Sequence, residues 1–269
     1  MPQYCHTGGV VIRSSQGKDV ILSLLTPELG KIPVICKGAK SVKGAQMALS
    51  QVFTYGDFEL YRRGDFYWLH TGEIHSQFYG ITKRLDALTL AAYFCEIASM
   101  VSEPGVPCPE LVRLLLNMLY FLDQGTHPDD FLKGIFEWRI LQMQGMAPAL
   151  EECSGCGEHE APDFSLEIAQ GELLCGKCRA AISGDSARQN FPSTADTPIA
   201  DRVLLSPAAL AAIRFSVSTP LARMVSFRLG NEKDRICFAE AGEKFLRYHL
   251  DTERASETLQ MYHKSEQRR

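Results

Sequence analysis

Apolar and polar positions along the chain change period once, near residue 80. Before that point, short runs rich in Val, Ile, Leu and aromatic residues occupy positions 10–12, 20–25, 32–36, 53–61 and 66–74. They are separated by Ser-Gln-Gly-Lys, Pro-Glu-Leu-Gly, Lys-Gly-Ala-Lys and Arg-Gly-Asp, the punctuation of strands joined by tight turns. After residue 80 the apolar step lengthens to three and four. Leu85, Leu88, Ala92, Cys95 and Ser99 recur on that step and stop at Glu103-Pro104-Gly105, which predicts a helix. Two further helices are expected at 109–122, closed by Asp123-Gln124-Gly125, and at 128–144, where Phe131, Ile135, Trp138 and Leu141 share one face. Together the three predict a bundle.

Five short strands predict a small barrel. Residues 45–50 form a helical candidate between the third and fourth strands, where an oligonucleotide-binding (OB) fold inserts one. An SH3-like barrel is the competing reading. Later in the chain, Ser206 is placed to cap a helix whose first turn holds Pro207, and Phe238, Phe245, Leu246 and Leu250 mark another over 238–250. Residues 183–201, rich in Ser, Asp, Thr, Pro and Asn, read as an exposed connection. The polar end offers few apolar anchors and is expected to fray. The fold class is therefore α+β. The expected organisation is an OB-fold nucleic-acid-binding domain at 1–80, a helical domain at 81–150 resumed at 181–250, a four-cysteine insertion at 151–180 and a polar tail at 251–269.

Cys153-x-x-Cys156 and Cys175-x-x-Cys178, eighteen residues apart, change this picture most. Two such pairs supply four thiolates to one tetrahedral ion, and the spacing points to zinc. Gly155, Gly157 and Gly176 give the turns the backbone freedom that knuckles need. Phe164 to Ile168 and Glu172 to Leu174 complete the insertion as a hairpin. Four cysteines close the coordination sphere, so one structural ion is expected. The alternatives are a disulfide pair and a catalytic ion of the base-deaminase kind. The latter would use Glu158 after Cys156, but Leu174 stands where that signature has Pro, and Cys153 would fill the water's position. His159 reads as a solvated loop residue, although it is able to replace a sulfur.

Composition then bounds the class. The start, MPQYCHTGGV, shows no basic segment leading into an apolar run, and no stretch reaches the ~18 apolar residues of a membrane span. A soluble cytosolic protein is expected, with Cys5, Cys36, Cys95, Cys108 and Cys237 as reduced core thiols. The net charge of -4 is uneven: residues 1–80 hold eight Lys/Arg against six Asp/Glu, a balance of +2. Lys31, Lys37, Lys40 and Lys43 fall within thirteen residues free of acids, and Arg62 and Arg63 follow on the next hairpin. Such a cluster suits a polyanion, and equally an ordinary solvated surface with lysines on strand edges. Phe53, Tyr55, Phe58, Tyr61, Phe66, Tyr67 and Trp68 lie on the same barrel. Alternation turns only one face of each strand outward, so a couple of these rings at most are expected to meet nucleic acid. A phosphate-binding loop is missing, because Gly30-Lys31-Ile32 has neither the upstream glycine nor the hydroxyl that holds magnesium.

Several strings then resemble a known family. These are Gly17-Lys18-Asp19-Val20-Ile21-Leu22, Leu25-Thr26-Pro27-Glu28-Leu29-Gly30-Lys31 and Lys37-Gly38-Ala39-Lys40, followed by Phe136-Glu137-Trp138-Arg139-Ile140-Leu141, Gly145-x-x-Pro148, Cys153-x-x-Cys156-Gly157 and Leu246-Arg247-Tyr248-His249-Leu250. In this order along nearly the whole chain they resemble the bacterial recombination mediator family RecO. The resemblance implies a non-enzymatic, cytoplasmic and nucleoid-associated DNA repair protein. Such a protein binds single- and double-stranded DNA, anneals complementary strands and, with RecR, helps to replace single-strand-binding protein by recombinase.

Under this reading Lys31, Lys37, Lys40, Lys43, Arg62 and Arg63 contact phosphates, and Cys153, Cys156, Cys175 and Cys178 hold zinc. A further implied partner is the acidic, apolar C-terminal tail of single-strand-binding protein, with Arg113, Lys133, Arg139 and Arg214 as basic candidates. The alternatives are a zinc-ribbon adaptor that binds protein and not DNA, or a zinc-dependent hydrolase or deaminase.

Overall fold

A computed structural model describes residues 3–15, 19–37, 45–64, 66–183, 202–250 and 256–266. The chain divides into two compact units, Met1–Asp129 with Glu253–Arg269, and Asp130–Thr252.

In the first unit, strands β1 (Gln3–Ser14), β2 (Val20–Thr26), β3 (Gly30–Cys36), β4 (Tyr55–Arg63) and β5 (Phe66–Ser76) close a barrel in the order β1-β2-β3-β5-β4. Helix α1 (Ala45–Leu49) stands between β3 and β4. The β3–β5 pair is parallel and the others are antiparallel, which selects the OB-fold over the SH3-like alternative. β1 is far longer than the 10–12 expected. Its first half, Gln-Tyr-Cys-His-Thr-Gly-Gly, has no apolar alternation, and only pairing with β4 from Gln3↔Arg62 to Val10↔Tyr55 makes it a strand. Val11, Leu22, Leu24, Val34, Phe58 and Leu60 fill the interior. Alternation does this in β3: Ile32, Val34 and Cys36 are buried while Pro33 is exposed. Truncating Leu60 to Ala would cost about 2–5 kcal/mol.

Helices α2 (Leu85–Val101) and α3 (Pro109–Gln124) belong to the same unit. α3 runs two residues past the expected end, until Gly125 adopts a left-handed conformation (φ 61°). The β2–β3 turn docks on the segment joining the two helices. Gly105 N donates to Leu29 O and Cys108 N to Pro27 O, both at 2.9 Å. Gly30 is obligatory there, because its φ is +64° and a Cβ would strike the Glu103 carbonyl.

The second unit is built on α4 (Asp129–Met143), whose residues from Phe131 to Leu141 are buried on every side. α4 lies at the centre of this unit, whereas α2 and α3 cluster with the barrel, so the three helices are divided between the units. After α4 come β6 (Ala149–Cys153), β7 (Ser165–Glu167), β8 (Glu172–Leu174), α5 (Gly176–Ser183), β9 (Arg202–Leu204), α6 (Pro207–Ser218) and α7 (Glu232–His249). The expected β7–β8 hairpin forms, but it is the centre of a four-stranded sheet, β6-β8-β7-β9. β6 and β9 carry no readable pattern of their own and are strands through their partners. Ser206 caps α6 by accepting from Ala209 N at 3.1 Å. α7 begins six residues before the expected 238, because Asn231 caps it by accepting from Asp234 N. Gly134 and Gly242 let α4 and α7 approach: a Cβ on the first would overlap the Phe238 ring at 2.5 Å, and on the second would crowd Trp138. Of the connection expected at 183–201, everything after Ser183 lies outside the described residues.

Within the polar end, the fraying expected does not hold over residues 256–266. Ser256–Glu266 forms α8, which packs on α2 in the first unit with Leu259 and Tyr262 buried. Two apolar anchors three residues apart suffice once α2 offers them a complementary face.

Candidate metal centre and nucleic-acid interface

Parallel pairing of β6 with β8, through Cys153↔Leu173, brings the two Cys-x-x-Cys turns together. The first turn leaves the end of β6. Cys153 N donates to Glu158 O and Gly157 N to Cys153 O, both at 2.8 Å, which closes the knuckle. The second lies where β8 passes into α5, so Cys175 immediately precedes that helix and Cys178 is in its first turn. Gly155 is required at the junction, since a Cβ would sit 2.9 Å from Cys178 Sγ.

The four sulfurs lie within 4.8 Å of one another, with Cys156 Sγ 3.7 Å from Cys175 Sγ. A tetrahedral zinc with bonds of about 2.3 Å requires sulfurs about 3.8 Å apart, so this donor set is able to hold a metal ion and is consistent with zinc. Burial pushes the Cys153 thiol up, but N–H donors of Cys175, Gly155 and Cys156 outweigh it and bring the pKa down to about 7. Burial and the neighbouring sulfurs push Cys178 up to about 12, as expected for thiols crowded around one point. A cation there would favour the thiolates. His159 is exposed and engaged with Glu152 and the Glu151 carbonyl, and the Glu158 side chain accepts from Glu160 N. Neither belongs to the sulfur cluster.

The six basic residues expected on the barrel are not equivalent. Lys31 donates from Nζ to the Ser99 carbonyl and lies 3.3 Å from Ser99 Oγ, so its charge is used between β3 and α2. Burial also lowers its pKa. Lys37 is exposed with its ammonium 5.2 Å from the Trp68 ring centroid, a cation–π contact. Arg62 and Arg63 are exposed at the end of β4, and Arg62 Nε donates to Gly64 O at 3.1 Å. Register places Arg62 opposite Tyr67 and Arg63 opposite Phe66, beside the β4–β5 turn. Lys40 and Lys43 lie outside the described residues.

Among the aromatics, Phe53 and Phe58 are buried, and Tyr67 packs against the barrel interior. Phe66, Tyr61 and Trp68 reach the outer surface, joined there by Tyr4 and His70, which sequence reasoning did not single out. Strand alternation would have found Tyr4 had the length of β1 been legible.

Two of the basic residues considered for an acidic peptide are built into the second unit. Lys133 is buried between Glu137 (3.0 Å) and Glu243 (2.8 Å). Arg139 donates to the carbonyls of Ser216 and Thr219 at 2.9 and 2.6 Å. Arg214 Nε donates to Leu150 O at 2.7 Å from the half-buried face of α6, and Arg113 on α3 is exposed. Arg214 also borders a cavity of about 340 Å³ with His159, Pro162, Phe164 and Leu210.

Comparison with known proteins agrees with this architecture. The family description "Recombination protein O N terminal" matches residues 1–78, and "Recombination protein O C terminal" matches residues 83–257. The chain is 30% identical to a DNA repair protein RecO of Acetivibrio thermocellus over 65% of this chain and 70% of that one. It is 31% identical to one from Listeria monocytogenes, over 68% and 71%. With one from Alkaliphilus metalliredigens the identity is 29%, over 66% and 73%. Among the described residues no helix is long and apolar enough to cross a membrane.

Proposed function

Because the chain belongs to the RecO family, whose members act in DNA repair and recombination, we propose that it is a mediator without catalytic chemistry of its own. It binds single- and double-stranded DNA through the barrel, anneals complementary strands and acts with RecR to exchange single-strand-binding protein for recombinase. The carrying observation is a set of exposed cations on the barrel, Lys37 over the Trp68 ring and Arg62 and Arg63 beside the β4–β5 turn. Phosphates need positive charge and no particular base, so these residues suit a surface that must accept any strand. Two polyanions held on such a surface repel one another less, and base pairing then supplies the driving force. Lys40 and Lys43 extend the same reading in sequence. Lys31 contributes to it least, since its ammonium is already bound.

Four sulfurs converging on one point support a single structural zinc, because protein donors fill every coordination position and leave no site for an activated water. The ion holds the β6–β8 sheet to α5. For the acidic, apolar tail of single-strand-binding protein, Arg113 is the exposed basic candidate, given the internal pairing of Lys133 and Arg139 and the donation of Arg214 to the carbonyls of Leu150 and Glu151.

The testing experiment is annealing of complementary oligonucleotides coated with single-strand-binding protein, without ATP. The protein should accelerate it, and Lys37→Ala with Arg62→Ala and Arg63→Ala should abolish the gain. No acceleration by the wild type would refute the proposal.

A further inference from the structure

Across the outer face of the barrel, three strands align aromatic rings in one row. Tyr4 of β1 pairs with Tyr61 of β4, and Tyr61 with Trp68 of β5. Ring centroids are 6.1 Å apart for Tyr4 and Tyr61, and 6.2 Å for Tyr61 and Trp68, the latter pair inclined by only 15°. Lys37 lies over the Trp68 ring, and His70 meets Tyr4 edge-on at 5.4 Å. A register shift between Glu59 and Leu60 leaves His70 as the extra residue of β5, which brings its ring out on this face. Tyr4 is 49% exposed and Phe66, at the adjoining turn, 52%. Tyr61 and Trp68 are half-buried, and rings left partly open on a barrel whose interior is already filled offer their faces to a ligand.

We infer that Tyr4, Tyr61 and Trp68 form a stacking platform for the bases of single-stranded DNA, with Lys37, Arg62 and Arg63 holding the phosphates along its edge. The inference rests on the proposed DNA binding and adds to it a strand preference and a path. Single strands present unstacked bases whose faces every aromatic ring accepts, whereas a duplex buries those faces and offers the platform nothing. The path is bounded on one side. Two residues along β1 and β4 from Tyr4 and Tyr61, the same face carries His6 beside Glu59 at 3.8 Å. Beyond these lie Asp57, paired with His75 at 2.9 Å, and Glu73. Those carboxylates repel phosphate, so the strand runs over the rings toward the β4–β5 turn. The platform crosses β1, β4 and β5, while an OB-fold commonly binds on the face of its second and third strands.

The chain's two tryptophans make the test direct. Trp138 is buried in the second unit, so a change in emission on adding an oligonucleotide reports Trp68. The full-length protein is titrated with unlabelled oligo-dT and with a duplex of equal length, and affinities are measured for Tyr4→Ala, Tyr61→Ala and Trp68→Leu. Oligo-dT should quench the emission, Trp68→Leu should remove the quench, and each variant should lose about tenfold in single-strand affinity. Duplex affinity and the salt dependence should stay unchanged. Tyr4→Phe keeps the ring and should restore binding, which separates stacking from damage to the fold. If the alanine variants bind oligo-dT as the wild type does while Lys37→Ala and Arg63→Ala weaken it, the platform is wrong and the DNA-binding reading stands. If the wild type binds neither nucleic acid, both fall.

Discussion

The ammonium of Lys31 donates to the backbone carbonyl of Ser99 and so fastens the third barrel strand to helix α2. A lysine that reads in sequence as part of a DNA-binding cluster is thereby spent inside the fold. Lys31→Ala should leave DNA affinity and its salt slope nearly unchanged, yet lower unfolding stability by about 1.5–3 kcal/mol, the worth of a hydrogen bond made by a charged group. Lys37→Ala should do the reverse and reduce the slope of log affinity against log salt by about one. Denaturant unfolding and oligonucleotide titrations at several salt concentrations distinguish the two.

Removing metal should act locally. With an ion bound, the four sulfurs of Cys153, Cys156, Cys175 and Cys178 would hold β6, β8 and the start of α5 together, and without it thiolates so close would repel. A chelator, or Cys178→Ser, should release about one zinc per chain and speed amide exchange across residues 149–183. Single-strand DNA affinity should change little. Metal analysis combined with hydrogen exchange checks this, and a large loss of DNA binding with no change in exchange would contradict it.

Lys133, Glu137 and Glu243 form a charge cluster almost free of solvent, with the two helices α4 and α7 on either side. Burial works against the ammonium, but the two carboxylates outweigh it and lift its pKa above the ordinary lysine value. With a folded pKa above the unfolded one, the stabilisation is complete at neutral pH and is lost only as pH rises through the folded value. Lys133→Ala removes the buried ammonium that Glu137 and Glu243 share and should cost about 3–5 kcal/mol in denaturant unfolding. Lys133→Met with Glu137→Gln should recover a large part of it.

Glu96 on α2 faces α8. Burial raises its pKa, Thr258 and Arg13 lower it, and Glu257 raises it, with a net upward shift. The charged form is disfavoured in the fold, so its contribution is most favourable below the ordinary carboxylate range and is lost as pH rises through the raised value. Exchange protection of residues 256–266 should therefore fall over that window. Glu96→Gln should flatten the dependence, and protection that stays constant in the wild type would count against it.

How much of this was legible before folding depends on where each signal resides. The strands β2 to β5 and helices α2 and α3 announce themselves because their buried faces repeat at the period of their own backbone, and α4 does so through its apolar residues although it is buried on every side. Strand β1 was legible only over 10–12, and β6 and β9 not at all, since what makes them strands is a partner's hydrogen bonds. The C-terminal helix was hidden for the same reason: Leu259 and Tyr262 are poor anchors alone and adequate ones against α2.

The site divides along the same line. Spacing alone pointed to the candidate metal centre, because two Cys-x-x-Cys turns name four sulfurs as possible donors, and it showed that positive charge gathers in the barrel segment. Only the tertiary structure decided which charges are free and which rings face outward. Lys31 and Lys37 are chemically identical and six residues apart, but one meets a carbonyl and the other lies over an indole face. Local order along a chain fixes which groups are present. The free energy of each group depends on what folding places within a few ångströms of it, and those neighbours come from distant parts of the sequence.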